Sequence, residues 1–265
     1  MADIIHQAKY PVQSVSKAIA ILTYLSEVNR PNGAATLAEI SAALDMGKSG
    51  VHRLLDTLMA HNYVERIENP VAYRLSWGVY RMASSVVHSH EISSADFSGV
   101  NDLCNLIGET VTVAVRNQNN TLVIYRALPS KSYRVNIETG TAEPIYATAT
   151  GKAILSEMSD EAIDSIFAGS PPKLTPNTIV DAEQYKEVLR KVRINGYATE
   201  IEEYELGLTC VAYPIRNHAA KIVAAISATI PISKYSDSYL HFVAGKLLVV
   251  AQGLSRQLGY TEVLK

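Results

Sequence analysis

The run Thr36–Ile67, TLAEISAALDMGKSGVHRLLDTLMAHNYVERI, narrows what this chain can fold into more than any other. Thr36 with Glu39 three residues on is a capping box, so a helix is expected to begin at Leu37. It can run only to about Leu44, because DMG follows as a tight turn. A second apolar stripe then appears at helical spacing: Val51, Leu54, Leu55 and Leu58. A short helix, a Gly-containing turn and a second amphipathic helix make the helix-turn-helix pattern.

The second helix buries one side and crowds the front of the other with donors: Lys48, Ser49, His52 and Arg53. A recognition helix meets base edges and phosphates with its first turns, and that is where these side chains lie. A charge cluster is more often just a solvated face, so the cluster alone does not carry the reading. Its surroundings do. Upstream, Val15, Ala18, Ile19, Leu22 and Leu25 give another one-faced helix, with Ser14 as its expected N-cap and NRPNG (Asn29–Gly33) closing it. Downstream, YVERI and YRLSW alternate about the link ENPVA and read as a hairpin. A hairpin directly after a recognition helix is the wing of a winged helix. Arg66 and Arg74 on it are candidates for phosphate or minor-groove contact. Trp77–His90 has helical spacing again (Val79, Met82, Ala83, Val86, Val87) and reads as a linker helix suited to packing on a partner subunit.

Bulk properties add limits. At 265 residues two cores are expected. The net charge of -2 does not advertise a nucleic-acid partner, and residues 1–90 hold 8 Lys and Arg against 7 Asp and Glu, so only a local cluster can carry that argument. No run reaches the apolar length of a membrane span, and MADIIHQAKYPVQ lacks the order of a signal peptide. Cys104 and Cys210 do not make a disulfide framework. A cytoplasmic protein without membrane partners is expected.

QSVSKAIAIL, GKSGVHRLLDTLMAHNYVER and YRLSWGVYRM resemble the winged-helix domain of IclR-type bacterial transcription regulators. GTAEPIYATATGKAIL resembles the effector-loop segment of that family, and GYATEIEEYELGLTCVAYPIRN its signature region. The resemblance spans about residues 12–260. It departs from the pattern at several positions: Glu200 stands where Asp or Ser is usual, Arg216 where an aromatic residue or His is usual, and Gly50 where Thr or Ser is frequent. At Gly50 the helix loses a hydroxyl and about 1 kcal/mol of helix preference relative to Ala.

The rest of the chain reads as strand hairpins covered by helices. Helices are expected at Ser94–Ile107, Thr150–Met158, Asp160–Ala168, Asp181–Ile194 and Ser236–Leu258, the last ended by Gly259. Hairpins are expected around Asn117–Asn120 and in TCVAYPIRNHAAKIVAAISATI, with YRVNIET as a further strand. The expected fold class is α+β. A winged helix-turn-helix domain (1–75) and a linker helix (76–91) precede an effector-binding domain (92–265), which the resemblance implies is GAF-like with a small-molecule pocket. The resemblance points to Ala149, Thr150, Glu200, Leu208, Cys210, Ser227 and Thr229 as pocket residues, with Val135 and Glu143 on a covering loop. Ser227 and Thr229 are two apart on a strand and so face one side. Small residues and free N–H groups at a helix start favour a carboxylate there. Glu143, in place of an apolar residue, and Tyr146, in place of His, suggest a hydroxyl-rich ligand such as a sugar acid.

Other chemistry is weak. Gly151-Lys152 ends like a phosphate-binding loop, but Tyr146 and Ala153 occupy positions such a loop gives to Gly and to Ser or Thr. Cys210 with His218 and Glu203 is the best catalytic grouping, yet His218 falls in a hairpin turn, and a lone strand Cys is usually a buried hydrophobe. His88 and His90 lack further ligands, and no cofactor or metal motif is present. The expectation is a ligand-responsive DNA-binding regulator, reading a palindromic operator as a homodimer or as a dimer of dimers (a homotetramer) and sensing a small organic acid or sugar acid. A repressor is expected, with the sequence leaving activation open. An enzyme using Cys210 and a ligand-independent architectural DNA binder are the competing classes.

Overall fold

The computed structural model describes residues 9–28, 32–131 and 134–261, without the side chains of residues 87–89. Asn29–Pro31 of the first expected turn, Tyr133 at the head of YRVNIET, and the side chains of Val87 and His88 lie outside the described residues. The chain divides into two compact units, within residues 6–93 and 94–265.

In the first unit α1 (Gln13–Glu27), α2 (Leu37–Ala43) and α3 (Lys48–Ala60) precede a two-stranded antiparallel hairpin, β1 (Val64–Glu68) with β2 (Val71–Leu75). The capping box forms as expected: the Glu39 N–H donates to the Thr36 hydroxyl at 3.3 Å, and the Thr36 N–H donates to the Glu39 carboxylate at 2.8 Å. Gly47 caps α3, whose Val51, Leu55 and Leu58 are buried beside Ile21, Leu25 and Ile40. The hairpin turns on Asn69 and Pro70 alone, tighter than the expected ENPVA link, and Ala35 bridges Tyr73 of β2.

Two expectations for α1 fail. Ser14 already lies inside the helix and Val12 holds the cap position, so Ser14 cannot take the extended conformation that a cap requires. The buried arc is Ala18, Ile21, Leu22 and Leu25, whereas Val15 and Ile19 are more than half exposed. Both arcs have 3- and 4-residue steps, and periodicity alone does not say which one meets α3 and β2. The unit closes with α4 (Trp77–Ser89). A Cβ on Gly78 would sit 1.9 Å from the Asn62 carbonyl oxygen, so only glycine lets α4 start flush against the turn after α3. Trp77, Tyr80, Met82 and Val86 on α4, like Val12, Val15 and Ile19 near the chain start, leave apolar surface uncovered in the single chain.

The second unit begins with α5 (Ser98–Ile107), four residues later than expected after a short 3-10 turn at Glu91–Ser94. The Ser98 N–H donates to the Asp96 carboxylate at 2.9 Å, a local turn that competes with an earlier helix start. There follow β3 (Thr110–Asn117), β4 (Asn120–Ala127), β5 (Ala142–Pro144), α6 (Ala149–Leu155), α7 (Asp160–Phe167) and α8 (Ala182–Asn195). The unit ends with β6 (Ala198–Ile201), β7 (Leu208–Arg216), β8 (Ile222–Pro231) and α9 (Asp237–Gln257). Ser236 caps α9 through the Tyr239 N–H, and Gly259 takes a left-handed φ of 79° just past its end.

The sheet runs β5-β4-β3-β8-β7-β6, every pair antiparallel. Alternation along β7 serves two layers. Cys210 and Ala212 join the core with α6, α7 and α8, while Tyr213 shares a groove with Leu248 and Ala251 of α9. The described part of YRVNIET, residues 134–139, runs irregularly instead of forming a strand, and β5 takes the sheet edge. The reason is local. Val123 of β4 donates to the Thr141 carbonyl and accepts from the Gly140 N–H, which fills that edge, and Arg126 holds the Ile137 carbonyl at 3.0 Å. Among the described residues no helix is long and apolar enough to cross a membrane.

Candidate functional site

The start of α6 decides where a cavity can form. A Cβ on Gly151 would lie 1.8 Å from the Ile145 carbonyl oxygen, so the helix enters in backbone contact with the segment before it. The Thr148 hydroxyl accepts the Gly151 N–H at 3.0 Å and closes the first turn. This wedge holds Thr148, Ala149 and Thr150 over the sheet and leaves a cavity of about 250 Å³ between them. The helix has seven residues and its cap is satisfied, so its N–H groups are a weaker anion anchor than the sequence suggested.

Cross-strand rows make the floor. Glu200 on β6 stands opposite Cys210 on β7, which stands opposite Thr229 on β8. In the next row Ser227 stands opposite Thr112 of β3, with their hydroxyls 2.9 Å apart. Cys210 Sγ donates to Thr229 Oγ1 at 3.5 Å. The cover is the irregular segment from Val135 to Thr141. Arg126 tethers it through Asn136 Oδ1 at 3.0 Å and Glu138 at 2.8 Å, and the Thr110 hydroxyl donates to the Val135 carbonyl at 2.6 Å.

All nine residues named from the resemblance line this one cavity: Val135, Glu143, Ala149, Thr150, Glu200, Leu208, Cys210, Ser227 and Thr229. Glu143 does so from the edge strand β5, not from the covering loop. The sequence reading missed Thr112, Glu138, Tyr204 and Glu205, which also line it. The Thr110/Thr112 alternation was a usable signal for Thr112. Tyr146 is not part of it: its hydroxyl donates to the Pro172 carbonyl at 2.7 Å and its ring meets Phe167, so it says nothing about the ligand.

Electrostatically the cavity is acidic. Glu138, Glu143, Glu200 and Glu205 line it, with no Lys, Arg or His among the lining residues. Burial pushes the Glu200 carboxyl up to about 7, although Oε1 accepts the backbone N–H groups of Glu203 and Tyr204. Burial, then the charge of Glu205, raises Glu143. This is the opposite polarity to the one a carboxylate effector calls for. Behind the floor Lys152, 1% exposed, pairs with Glu203 and donates to the Thr199 carbonyl at 3.2 Å. The Gly151-Lys152 pair thus serves packing and charge balance rather than phosphate.

The catalytic grouping does not assemble. Burial, then the charge of Glu200, lifts the Cys210 thiol well above its usual range, which disfavours the thiolate a nucleophile needs. His218 is exposed at the hairpin turn, and Glu203 is committed to Lys152.

In the first unit Lys48, Ser49, His52 and Arg53 are all exposed on the first two turns of α3. The wing arginines are paired within their own hairpin: Arg74 Nε lies 2.6 Å from Glu65, its cross-strand partner, and Arg66 3.5 Å from Glu68.

The description "IclR helix-turn-helix domain" matches residues 14–68, and "Bacterial transcriptional regulator IclR C-terminal" matches residues 84–256. The chain belongs to the IclR family. Among its relatives in that family, the HTH-type transcriptional repressor AllR of Salmonella typhi is 31% identical over 255 residues, 95% of this chain and 92% of that protein. The Thermotoga maritima IclR structure superposes with a TM-score of 0.75 at 26% identity, over 94% of this chain and 99% of that one. An IclR homologue from Microbacterium hydrocarbonoxydans, complexed with 4-hydroxybenzoate, shares the fold with a TM-score of 0.80 at 20% identity, over 94% and 100%. This IclR-family chain is accordingly a DNA-binding transcription regulator, with a helix-turn-helix unit and an IclR-type C-terminal effector unit.

Proposed function

We propose that this regulator binds a palindromic operator with α3 in the major groove and responds to a small molecule held in the cavity under residues 134–141. The observation that carries the reading is the convergence of side chains from five strands, the α6 start and the cover segment on one cavity. Symmetric operators call for paired reading heads, and the uncovered apolar residues of α1 and α4 suit a homodimer that can double again. Lys48, Ser49, His52 and Arg53 contact base edges and phosphates, with Arg66 and Arg74 adding wing contacts. The sign is repression, as in the AllR relative.

An effector shifts the population of subunit arrangements only by the ratio of its affinities for them. Small organic acids and sugar acids were the expected class, and the cavity matches the hydroxyls of a sugar acid rather than its carboxylate. The test is a gel shift on DNA from just upstream of the protein's own gene, titrated with acids, sugar acids and their neutral counterparts. Movement of the midpoint by one compound supports the reading. An architectural binder would show a midpoint that nothing moves, and an enzyme would turn a compound over in a Cys210-dependent way.

A further inference from the structure

Three carboxylates at the cavity lack a cation. Glu138 is answered by Arg126, but Glu143 and Glu205 have no ion-pair partner among the described residues, and the cation nearest Glu200 belongs to the Lys152–Glu203 pair. The hydroxyl-bearing residues around them point to a bound molecule by a separate route. Thr150 is 5% exposed, lines the cavity, and makes no side-chain hydrogen bond to the described residues. Its hydroxyl opens onto the cavity, where it can donate to or accept from a bound molecule. Glu143 likewise accepts nothing through its carboxylate within the described residues.

We propose that the effector of this protein is a compact molecule that donates several N–H or O–H hydrogen bonds and carries no negative charge. Glu143 and Glu200 accept from it, and Thr150 and Ser227 complete its polar contacts. An anion placed among these groups meets the like charge of Glu143 and Glu205, and of Glu200 wherever it is ionised, a repulsion on the order of tenfold in affinity. An amide, alcohol or amine of the same size meets the carboxylate oxygens as acceptors and the Thr150 and Ser227 hydroxyls as either donors or acceptors. Glu143 sets this selectivity, being the lining carboxylate that is both half-buried and without a cation.

The proposal rests on the reading of this cavity as the effector site, and three matched two-carbon probes separate the two. Glycolate, glycolamide and ethanolamine are titrated into the full chain, with Kd read from ligand-observed NMR. Glycolamide and ethanolamine are expected to bind roughly tenfold or more tightly than glycolate. In Glu143→Gln, checked for unchanged thermal unfolding, the gap is expected to shrink to less than about threefold. Glycolate binding as tightly as glycolamide overturns the charge rule while leaving the effector site standing. A gap that survives Glu143→Gln removes Glu143 as its source. Binding of none of the three overturns the effector-site reading and the proposal with it.

Discussion

Replacing Lys152 with Met tests how the cavity floor is held up. The Lys152 side chain is 1% exposed and that of Glu203 12%, and Glu203 Oε2 has no hydrogen-bond partner among the described residues. Removing the ammonium leaves a carboxylate in a site with little water and two fewer hydrogen bonds. Breaking one side of a buried pair costs about 3–5 kcal/mol, and the loss is partly relieved if the remaining partner takes up a proton. Burial already raises the Glu203 carboxyl while Lys152 holds it down, so Lys152→Met raises it further. The folded state then binds a proton that the unfolded state releases above about 4.5. The cost is therefore smallest near pH 5 and grows as pH rises towards 8. Lys152→Met with Glu203→Leu removes both charges and recovers most of the loss. Urea unfolding followed by tyrosine near-UV circular dichroism reads the second unit, where Tyr185 is fully buried. Trp77, the one tryptophan, reports on the first unit as a control. A Lys152→Met loss below about 1 kcal/mol at pH 8, or one that is flat with pH, refutes the account of a desolvated pair.

Wild-type stability is expected to fall as pH rises from about 4.5 through about 7, because folded Glu200 holds its proton longer than the unfolded chain does; Glu200→Gln flattens that slope by roughly 3 kcal/mol at most, measured by urea titrations across the range. Arg53→Ala is expected to weaken specific DNA binding about tenfold or more while effector binding stays intact, and unchanged affinity in a gel shift removes Arg53 from the interface. Gly50→Ala is expected to stabilise the first unit by up to about 1 kcal/mol, since a Cβ there meets nothing within 4 Å; a lower melting midpoint by Trp77 fluorescence contradicts this.

Local chemistry was the legible part. The Thr36–Glu39 box, the α3 stripe, the β3–β4 and β7–β8 hairpins and the Ser236 and Gly259 ends of α9 each depend on residues within a few positions of one another. What failed depended partly on partners far along the chain and partly on neighbouring turns that outcompeted the expected element. The buried arc of α1 was set by β2 and α3, and YRVNIET lost its strand to an edge already filled by Gly140 and Thr141. In the cavity, Ser227 and Thr229 could be paired by period, and the resemblance supplied the other seven. Tyr204 and Glu205 come from a loop whose path no local pattern fixes, and Lys152 and Glu203 meet across 51 positions. Two of the four carboxylates, Glu143 and Glu200, were thus in view from the sequence, and Glu138 and Glu205 only once the fold brought them to the cavity.

The ion pairs of the wing have a consequence for how the molecule searches DNA. Arg66 and Arg74 each have a carboxylate of the same hairpin, Glu68 and Glu65, beside them before any duplex is met. A phosphate must displace a tethered carboxylate, which stays close by and competes to return. On the proposed reading the wing acts as a latch with its own internal counterions. It contributes a shallower salt dependence than two unpaired arginines would.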